Sequence, residues 1–556
     1  MSSRAISSGA VCSTSRHAEP GVGLHQPHRN NPRENILGKE VSIERLPAPG
    51  RGAELVVAAY PAPYRIGISN LGFQFLYKGL RQSSNVRVDR VFADTSPVTL
   101  DTGSSISSVS VILFSISYEE DFINAVRMLH EAGVPPLRER RGGRPLVIAG
   151  GPAVSANPMP LVDIVDALAL GEGEETLGEI IRLLEEMSRD EIDRQSSREP
   201  GVLLEALARI PGMLVPGFSS AGVSFRDPVS PSHFPRSVII TPESVFPDTM
   251  LVESGRGCPG ACAFCLAASI YRPFRFMPLS AFKELVEGLH PAVKRIGLVS
   301  TAVAANPDFV PIVKLLASRG IAVSFSSLRA EDLDDEKAAL VGSIGTASAS
   351  LAPESGSERV RFALGKRVPD EVYFIAAAKL RAAGVRHFTL YLLIGCPGEN
   401  ETTLVETEIF MERFRKAIGG RGFSVHVNPL VPKPWTPLQF WAMPEEREIA
   451  ERQRAVEKML RRLGLGVQIK SVRSALRQAL FSTGDERIGR AIVHYVEGGL
   501  SWKRALKEAG VNVSFPHERK GPETAFPWDA ISGPVRRGTL FKRFEAMERD
   551  GSAGAP

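Results

Sequence analysis

Cysteine is scarce in this chain, with five residues in 556. That excludes a disulfide framework of the kind that staples small secreted domains. No run of about 18 apolar residues occurs, so no segment reads as a membrane-spanning helix. The N-terminus, MSSRAISSGAVCSTSRHAEPGVGLHQPHRNNPRENI, lacks the apolar stretch of about 7–15 residues that marks a secretory signal. Charge of one sign is also missing: 67 Lys and Arg stand against 62 Asp and Glu, a net charge of +5. Basic and acidic residues alternate, as in EEREIAERQRAVEKMLRRLG, which is the mark of a solvated helix face. Composition therefore gives no signal for nucleic acid or a membrane surface. The expected setting is cytoplasmic and reducing, where clustered cysteines stay thiols and can ligate metal.

What is present is enough apolar residue, 43%, to bury several cores, in a length suited to about three domains. Residues 1–48 are rich in Ser, Arg, Pro and Gly and read as a disordered leader, with Cys12 incidental in it. ELVVAAY (54–60) and YRIGIS (64–69) read as a strand and its continuation; SVILFSIS, PLVIAGGP and VDALALGEGEE read as further strands. Helical spacing separates them in LGFQFLYKGLRQ, EEDFINAVRMLHEAG and, after the last, TLGEIIRLLEEM. The alternation predicts a parallel, doubly wound domain over 49–190. A Pro- and Ser-rich linker follows over 191–245, with room for a hairpin. From 246 to 440 six more strands appear, each but the last followed by a helix. Six units fall short of a closed barrel, so this stretch reads as a partial (β/α)6 barrel. Residues 441–556 read as a mainly helical C-terminal region.

Three of the five cysteines fall within eight positions. GCPGACAFCLA, residues 257–267, spaces Cys258, Cys262 and Cys265 as C-x3-C-x2-C, a strong sign of a metal site. Structural zinc asks for four ligands, and the nearest downstream histidine, His290, lies 25 residues past Cys265. An iron–sulfur cluster normally takes four thiolates; three would leave one iron open to an external ligand, which suits a catalytic cluster.

This motif after the first strand of a β/α barrel, with the aromatic Phe264 just before the last cysteine, resembles the signature of the radical S-adenosylmethionine (SAM) superfamily. The resemblance extends over about residues 250–440. It implies a 4Fe-4S cluster on Cys258, Cys262 and Cys265, with SAM chelating the fourth iron through its amino and carboxylate groups. One electron would then cleave SAM to methionine and a 5′-deoxyadenosyl radical, the protein supplying binding and orientation. By position within the resemblance, GLVST nominates Ser300 and Thr301 for the SAM amino group, although the family's glycine-rich, acidic form is missing there. SFSSLRAEDL nominates Ser327 and Arg329 at the barrel mouth. SLAPESGSERV nominates Glu354 and Ser355 for the ribose or amino acid, and YLLIGCPGE nominates the segment Ile394–Glu399 for the adenine. Cys396, in that last segment, reads either as a hydrogen-atom donor or as a small apolar filler. Arg329 and Glu354 are expected to pair with each other or with the SAM zwitterion, since an isolated charge beside apolar strands is costly.

The segments YRIGISNLGFQFLY, ILFSIS and VIAGGPAVSANPMPLVDIVDALALGEGEE make the N-terminal domain similar to the cobalamin-binding domain of one radical SAM subfamily, in an uncharacterised branch of it. The resemblance implies that Gly150 and Gly151 let the backbone approach the nucleotide tail and that Ser115 and Ser117 bond to it. The D-x-H-x-x-G motif that puts a histidine on cobalt is represented by GISNLG, with Ser69 in the histidine's place. Two readings stay open: cobalamin without a histidine on cobalt, or a doubly wound platform for substrate or partner.

Three functions are carried forward. The first is a radical SAM enzyme acting on an unactivated carbon, with cobalamin-dependent methyl transfer as one form of it. The second is a methylthiotransferase-like tRNA or protein modifier without cobalamin, which VPKPWTPLQ resembles, although Cys12 and Cys396 cannot make a second three-cysteine set. The third is a non-catalytic, metal-bound binding module. The first two imply an electron donor such as flavodoxin or ferredoxin, and a small-molecule or macromolecular substrate that the sequence does not name.

Overall fold

The computed structural model describes residues 32–47, 54–83, 86–142, 144–186, 201–219 and 222–552. Most of the expected leader, Cys12 included, lies outside the described residues. Its last part is not disordered. Residues 32–47 carry a helix, Pro32–Leu37, and a short strand β1 (Val41–Ser42). Glu40 between them accepts from both terminal nitrogens of Arg90, at 2.7 and 2.8 Å. A charge pair in the interior ties the arm down where apolar residues are few.

The first sheet holds β2 (Glu54–Tyr60), β3 (Val86–Phe92), β4 (Val111–Ser115), β5 (Leu146–Gly150), β6 (Ala167–Ala169) and β7 (Met213–Leu214). Their order is β3-β2-β4-β5-β6-β7, parallel except for β7. Every residue of β4 is buried, as expected of a central parallel strand covered on both faces. Residues 64–67 form a helical turn instead of continuing β2, because Pro61 and Pro63 break the ladder and Asp94 Oδ1 accepts the Tyr64 N–H at 2.7 Å. Strand β3 escaped the sequence reading because Arg87, Asp89 and Arg90 interrupt its apolar run. Asp89 and Arg90 are nonetheless buried, each with partners: Asp89 takes the hydroxyls of Thr99 and Thr102 at 2.5 Å, and Arg90 also holds Asp101. The stretch expected as a linker instead extends this sheet. Helix Gly201–Ala208 packs beside it and β7 joins its edge, because GVLLEALA and IPGMLV are apolar enough to be buried. Beyond them β8 (Val223–Ser224) pairs with residues 531–532, and β9 (Ile239–Ile240) pairs with β1.

The second half begins with β10 (Met250–Glu253) and a two-stranded ribbon, β11 (Gly255–Arg256) with β12 (Arg275–Phe276). β13 (Arg295–Val299) and β14 (Ala322–Phe325) follow, then β15 (Ser348–Glu354), β16 (His387–Ile394) and β17 (Phe423–Pro429). These are the six strands expected, in parallel sheets β10-β13-β14 and β15-β16-β17, and the Leu328 N–H bridges the seam to the Ser350 carbonyl at 3.3 Å. A seventh strand, β18 (Gly466–Ile469), adds to β17 from the C-terminal region, which is otherwise helical. Among the described residues no helix is long and apolar enough to cross a membrane.

The two halves share a core. One apolar cluster runs from one face of the first sheet through the C-terminal helices into the barrel, and a second covers the sheet's other face. Phe122 packs on Phe481 with ring centroids 6.1 Å apart, and the Asn157 amide donates to the carbonyls of Phe481, Ser482 and Gly484.

Replacing Arg90 by Ala strands the carboxylates of Glu40 and Asp101. Denaturant unfolding should then show a loss of about 3–5 kcal/mol. A loss under about 1 kcal/mol, the scale of a surface pair, would mean that residues 32–47 are not docked.

Candidate functional site

The cysteine loop starts where the β11–β12 ribbon ends. Gly257 has φ 82°, and a Cβ there would stand 2.1 Å from the Tyr271 carbonyl oxygen, so no other residue fits the bend. The Thr301 hydroxyl donates to the Gly257 carbonyl. Further along, the Ala263 N–H donates to Leu364 (2.8 Å), the Leu438 N–H to Ala263 (3.3 Å) and the Arg543 guanidinium to the Ala261 carbonyl (2.7 Å). The loop has little regular structure of its own and is held by its neighbours.

Cys258, Cys262 and Cys265 are all free thiols, half-buried on this loop. Two of the sulfurs flank Gly260: a Cβ there would be 3.3 Å from Cys258 Sγ and 3.9 Å from Cys262 Sγ. Burial pushes the Cys262 thiol up to about 12 and raises Cys265 as well, each further raised by the neighbouring cysteines. Two cations oppose this. Arg329 Nη1 lies 3.8 Å from Cys258 Sγ, and Lys366 favours the Cys262 thiolate. Among the described residues no three His, Cys, Asp or Glu side chains are grouped tightly enough to ligate one ion. A single zinc would need its sulfurs about 3.8 Å apart. Three soft thiolates each taking a separate iron is the demand of a 4Fe-4S cluster, and this donor set fits it. The remaining described cysteine, Cys396, stands apart in the core.

The other nominated residues divide. Arg329 is at the cluster, but it pairs with Glu331 (2.5 Å) and Asp332 (3.6 Å) rather than with Glu354. Glu354 pairs instead with Lys366 at 3.0 Å, a residue the sequence reading missed because an isolated lysine in ALGKRVPD has no telling spacing. Glu354 ends β15 after a register shift and has φ 66°, a strained backbone for a residue with a side chain. Its charge reaches Cys262 and Cys265, so it lies on the same side as the thiols. Ser300 is buried with its hydroxyl on the Ala302 N–H, and Thr301 serves the loop as described. Ser327 is half-buried just past β14, and Phe264 is packed against the core beside Cys265. Ser355 is buried, accepting the Ser357 N–H through its hydroxyl. Ile394 is buried, and its carbonyl accepts the Leu430 N–H. Cys396 is 2% exposed, its thiol raised by burial and by the Glu399 and Glu354 carboxylates.

Of the residues nominated for cobalamin, Ser69 and Ser117 are engaged by the chain itself. The Ser69 hydroxyl donates to the Arg65 carbonyl and accepts the Val245 N–H, both at 2.8 Å. Ser117 accepts from Asn70 at 3.0 Å, and Ser115 is buried under Gly72. Gly151 has φ 114°, and a Cβ on it would stand 2.5 Å from the Ile116 carbonyl oxygen; one on Gly150 would meet the Ala169 side chain at 3.3 Å. The lack of side chains there lets the chain approach itself.

The family described as "Radical SAM proteins, N-terminal" matches residues 72–216, and the one described as "Radical SAM superfamily" matches residues 252–411. An uncharacterized protein of Methanocaldococcus jannaschii is 26% identical over 459 residues, covering 82% of this chain and 94% of that one. Among solved structures, the radical S-adenosylmethionine methyltransferase TsrM of Kitasatospora setae aligns with a TM-score of 0.48 and 12% identity, over 70% of this chain and 75% of that chain. OxsB, a cobalamin-dependent S-adenosylmethionine radical enzyme, aligns with a TM-score of 0.45 and 15% identity, over 65% and 52%.

Gly257→Ala should displace the loop. After anaerobic reconstitution it should hold far less iron than the wild type with an unchanged far-ultraviolet spectrum. Gly320→Ala, also at positive φ but facing open space, should cost about 1 kcal/mol and keep its iron. Full iron content in Gly257→Ala would contradict this account of the loop.

Proposed function

We propose that this chain, which belongs to the radical SAM superfamily, cleaves SAM reductively and directs the radical at an unactivated C–H bond of its substrate. It is an enzyme whose cofactors are a 4Fe-4S cluster and SAM, and we assign the cluster to Cys258, Cys262 and Cys265. The observation that carries the reading is three thiols on one loop, with Arg329 against the first of them and, among the described residues, no other cysteine on that loop. Cys258, Cys262 and Cys265 would hold the cluster, which would supply the one electron needed to cleave SAM reductively and so the radical chemistry for hydrogen abstraction from substrate.

The chain's own residues bind and orient. Arg329 offers a fixed cation at Cys258 and suits the SAM carboxylate. Glu354, held by Lys366, suits the SAM amino group or ribose hydroxyls. Lys366 is raised because the pull of Glu354 outweighs its burial, so it stays charged beside the thiolates. Helix Arg537–Ser552 reaches the loop through Arg543 and helps keep water from it. A cytoplasmic setting with a flavodoxin or ferredoxin as the electron source suits such a chemistry. Methyl transfer through cobalamin is the narrower form of this reading, and it would have to proceed without Ser69, whose hydroxyl is held by Arg65 and Val245.

The test is anaerobic reconstitution with iron, sulfide and SAM. The wild type should hold about four irons per chain and release 5′-deoxyadenosine once reduced, while a Cys258, Cys262 and Cys265 triple Ala variant should do neither. Full iron in that variant, or zinc alone in the wild type, would remove the assignment. Iron without any 5′-deoxyadenosine would favour a non-catalytic module.

A further inference from the structure

We propose that the N-terminal sheet holds no corrinoid and instead braces the cysteine loop, with Glu172 as the positioning residue. This rests on the reading of Cys258, Cys262 and Cys265 as the cluster ligands. A doubly wound sheet takes ligands outside the carboxyl ends of its strands, where the strand order reverses. Here that point lies between β2 and β4, and the chain closes it. Glu119, just past β4, is bound by Lys433, Gln478 and Ser482; Glu120 is bound by Ser474 and Arg477. At the end of β5 the Trp435 indole N–H donates to the carbonyls of Ser155 and Ala156. A corrinoid would have to part a buried carboxylate–ammonium pair to enter, leaving each charge alone in the interior.

Past β6 the same edge meets the cysteine loop. The Glu172 carboxylate accepts from Arg256 at 2.9 Å, from the Arg275 guanidinium at both oxygens and from the Val229 N–H at 3.0 Å. Arg256 and Arg275 are register partners across the β11–β12 ribbon, and Cys258 is two residues beyond Arg256. One carboxylate from the N-terminal sheet therefore closes the ribbon from which the cysteines spring. Glu174 and Glu253 complete the pairing of Arg256, at 2.5 and 2.7 Å. Without Glu172 the Arg275 guanidinium would lose the carboxylate that ties it to Arg256 and to the first sheet, and the ribbon's end would loosen.

The test uses the full chain, reconstituted anaerobically. The rate at which a ferrous chelator strips iron is measured for the wild type, for Glu172→Gln and for Glu119→Gln. Glu119 is as buried as Glu172, at 4% exposed, and lies on the same edge, but it does not touch the ribbon. Glu172→Gln should lose iron about tenfold faster, as is usual when a residue supporting a metal ligand is removed. Glu119→Gln should keep the wild-type rate even though both variants melt lower. A wild-type rate in Glu172→Gln, or equal acceleration in both, overturns the proposal. If Glu172→Gln does not fold, Arg275→Gln cuts the same contact from the other side and is read in the same way. Hydroxocobalamin mixed with the wild type should separate from it on gel filtration, and one corrinoid travelling with each chain would equally overturn the proposal. Failure of the cysteine assignment would be distinguishable, since the wild type would then hold no iron at the outset.

Discussion

A cluster site built on a loop has to be held from outside, because ten residues with little regular structure cannot fix three sulfurs by themselves. In this chain the holding is done by a buried ion cluster around Arg256. Its guanidinium lies between Glu172, Glu174 and Glu253 and over the ring of Phe234, whose centroid is 4.9 Å away. Burial alone would make this arginine easier to deprotonate, but the carboxylates, Glu253 foremost, raise it instead. The position of Cys258 follows from that of Arg256, and the bend at Gly257 and the contacts of Thr301 and Leu438 follow in turn.

Such a cluster is a poor source of stability. Desolvating several charges costs about as much as their attraction returns, and apolar residues of the same volume often do as well. Its value lies in geometry. Charged groups meet at fixed distances and angles, while apolar groups slide. The same logic appears at Glu119 with Lys433 and at Arg90 with Glu40 and Asp101, each joining segments far apart in sequence. These three sites tie the N-terminal arm, the first sheet, the cysteine loop and the C-terminal region into one unit.

The sequence made the cysteine site legible because its signal is local: three residues of one rare type at short spacing. The strands of apolar residues were legible for the same reason. What could not be read depends on partners far away. Strand β3 looked too charged to be buried until Glu40, Thr99 and Thr102 supplied partners for Arg90 and Asp89. Glu172 fell in a segment that reads as a strand, and its arginines lie 84 and 103 residues away. Arg329 was expected to reach Glu354 across the barrel, but a local carboxylate, Glu331, was nearer, and Lys366 came to Glu354 from the following helix's end. The serines and glycines nominated for cobalamin match a cofactor pattern in type and spacing; the bonds of Ser69 and Ser117 to the chain itself are visible only in three dimensions.

The central claim is that Cys258, Cys262 and Cys265 hold a cluster with one iron left open to SAM. Mössbauer spectroscopy of chain reconstituted with 57Fe, before and after SAM is added, tests it most directly. The account predicts that SAM changes the signal of a single iron site and leaves the others as they were. A spectrum indifferent to SAM, or one in which every iron already has a protein ligand, would contradict it.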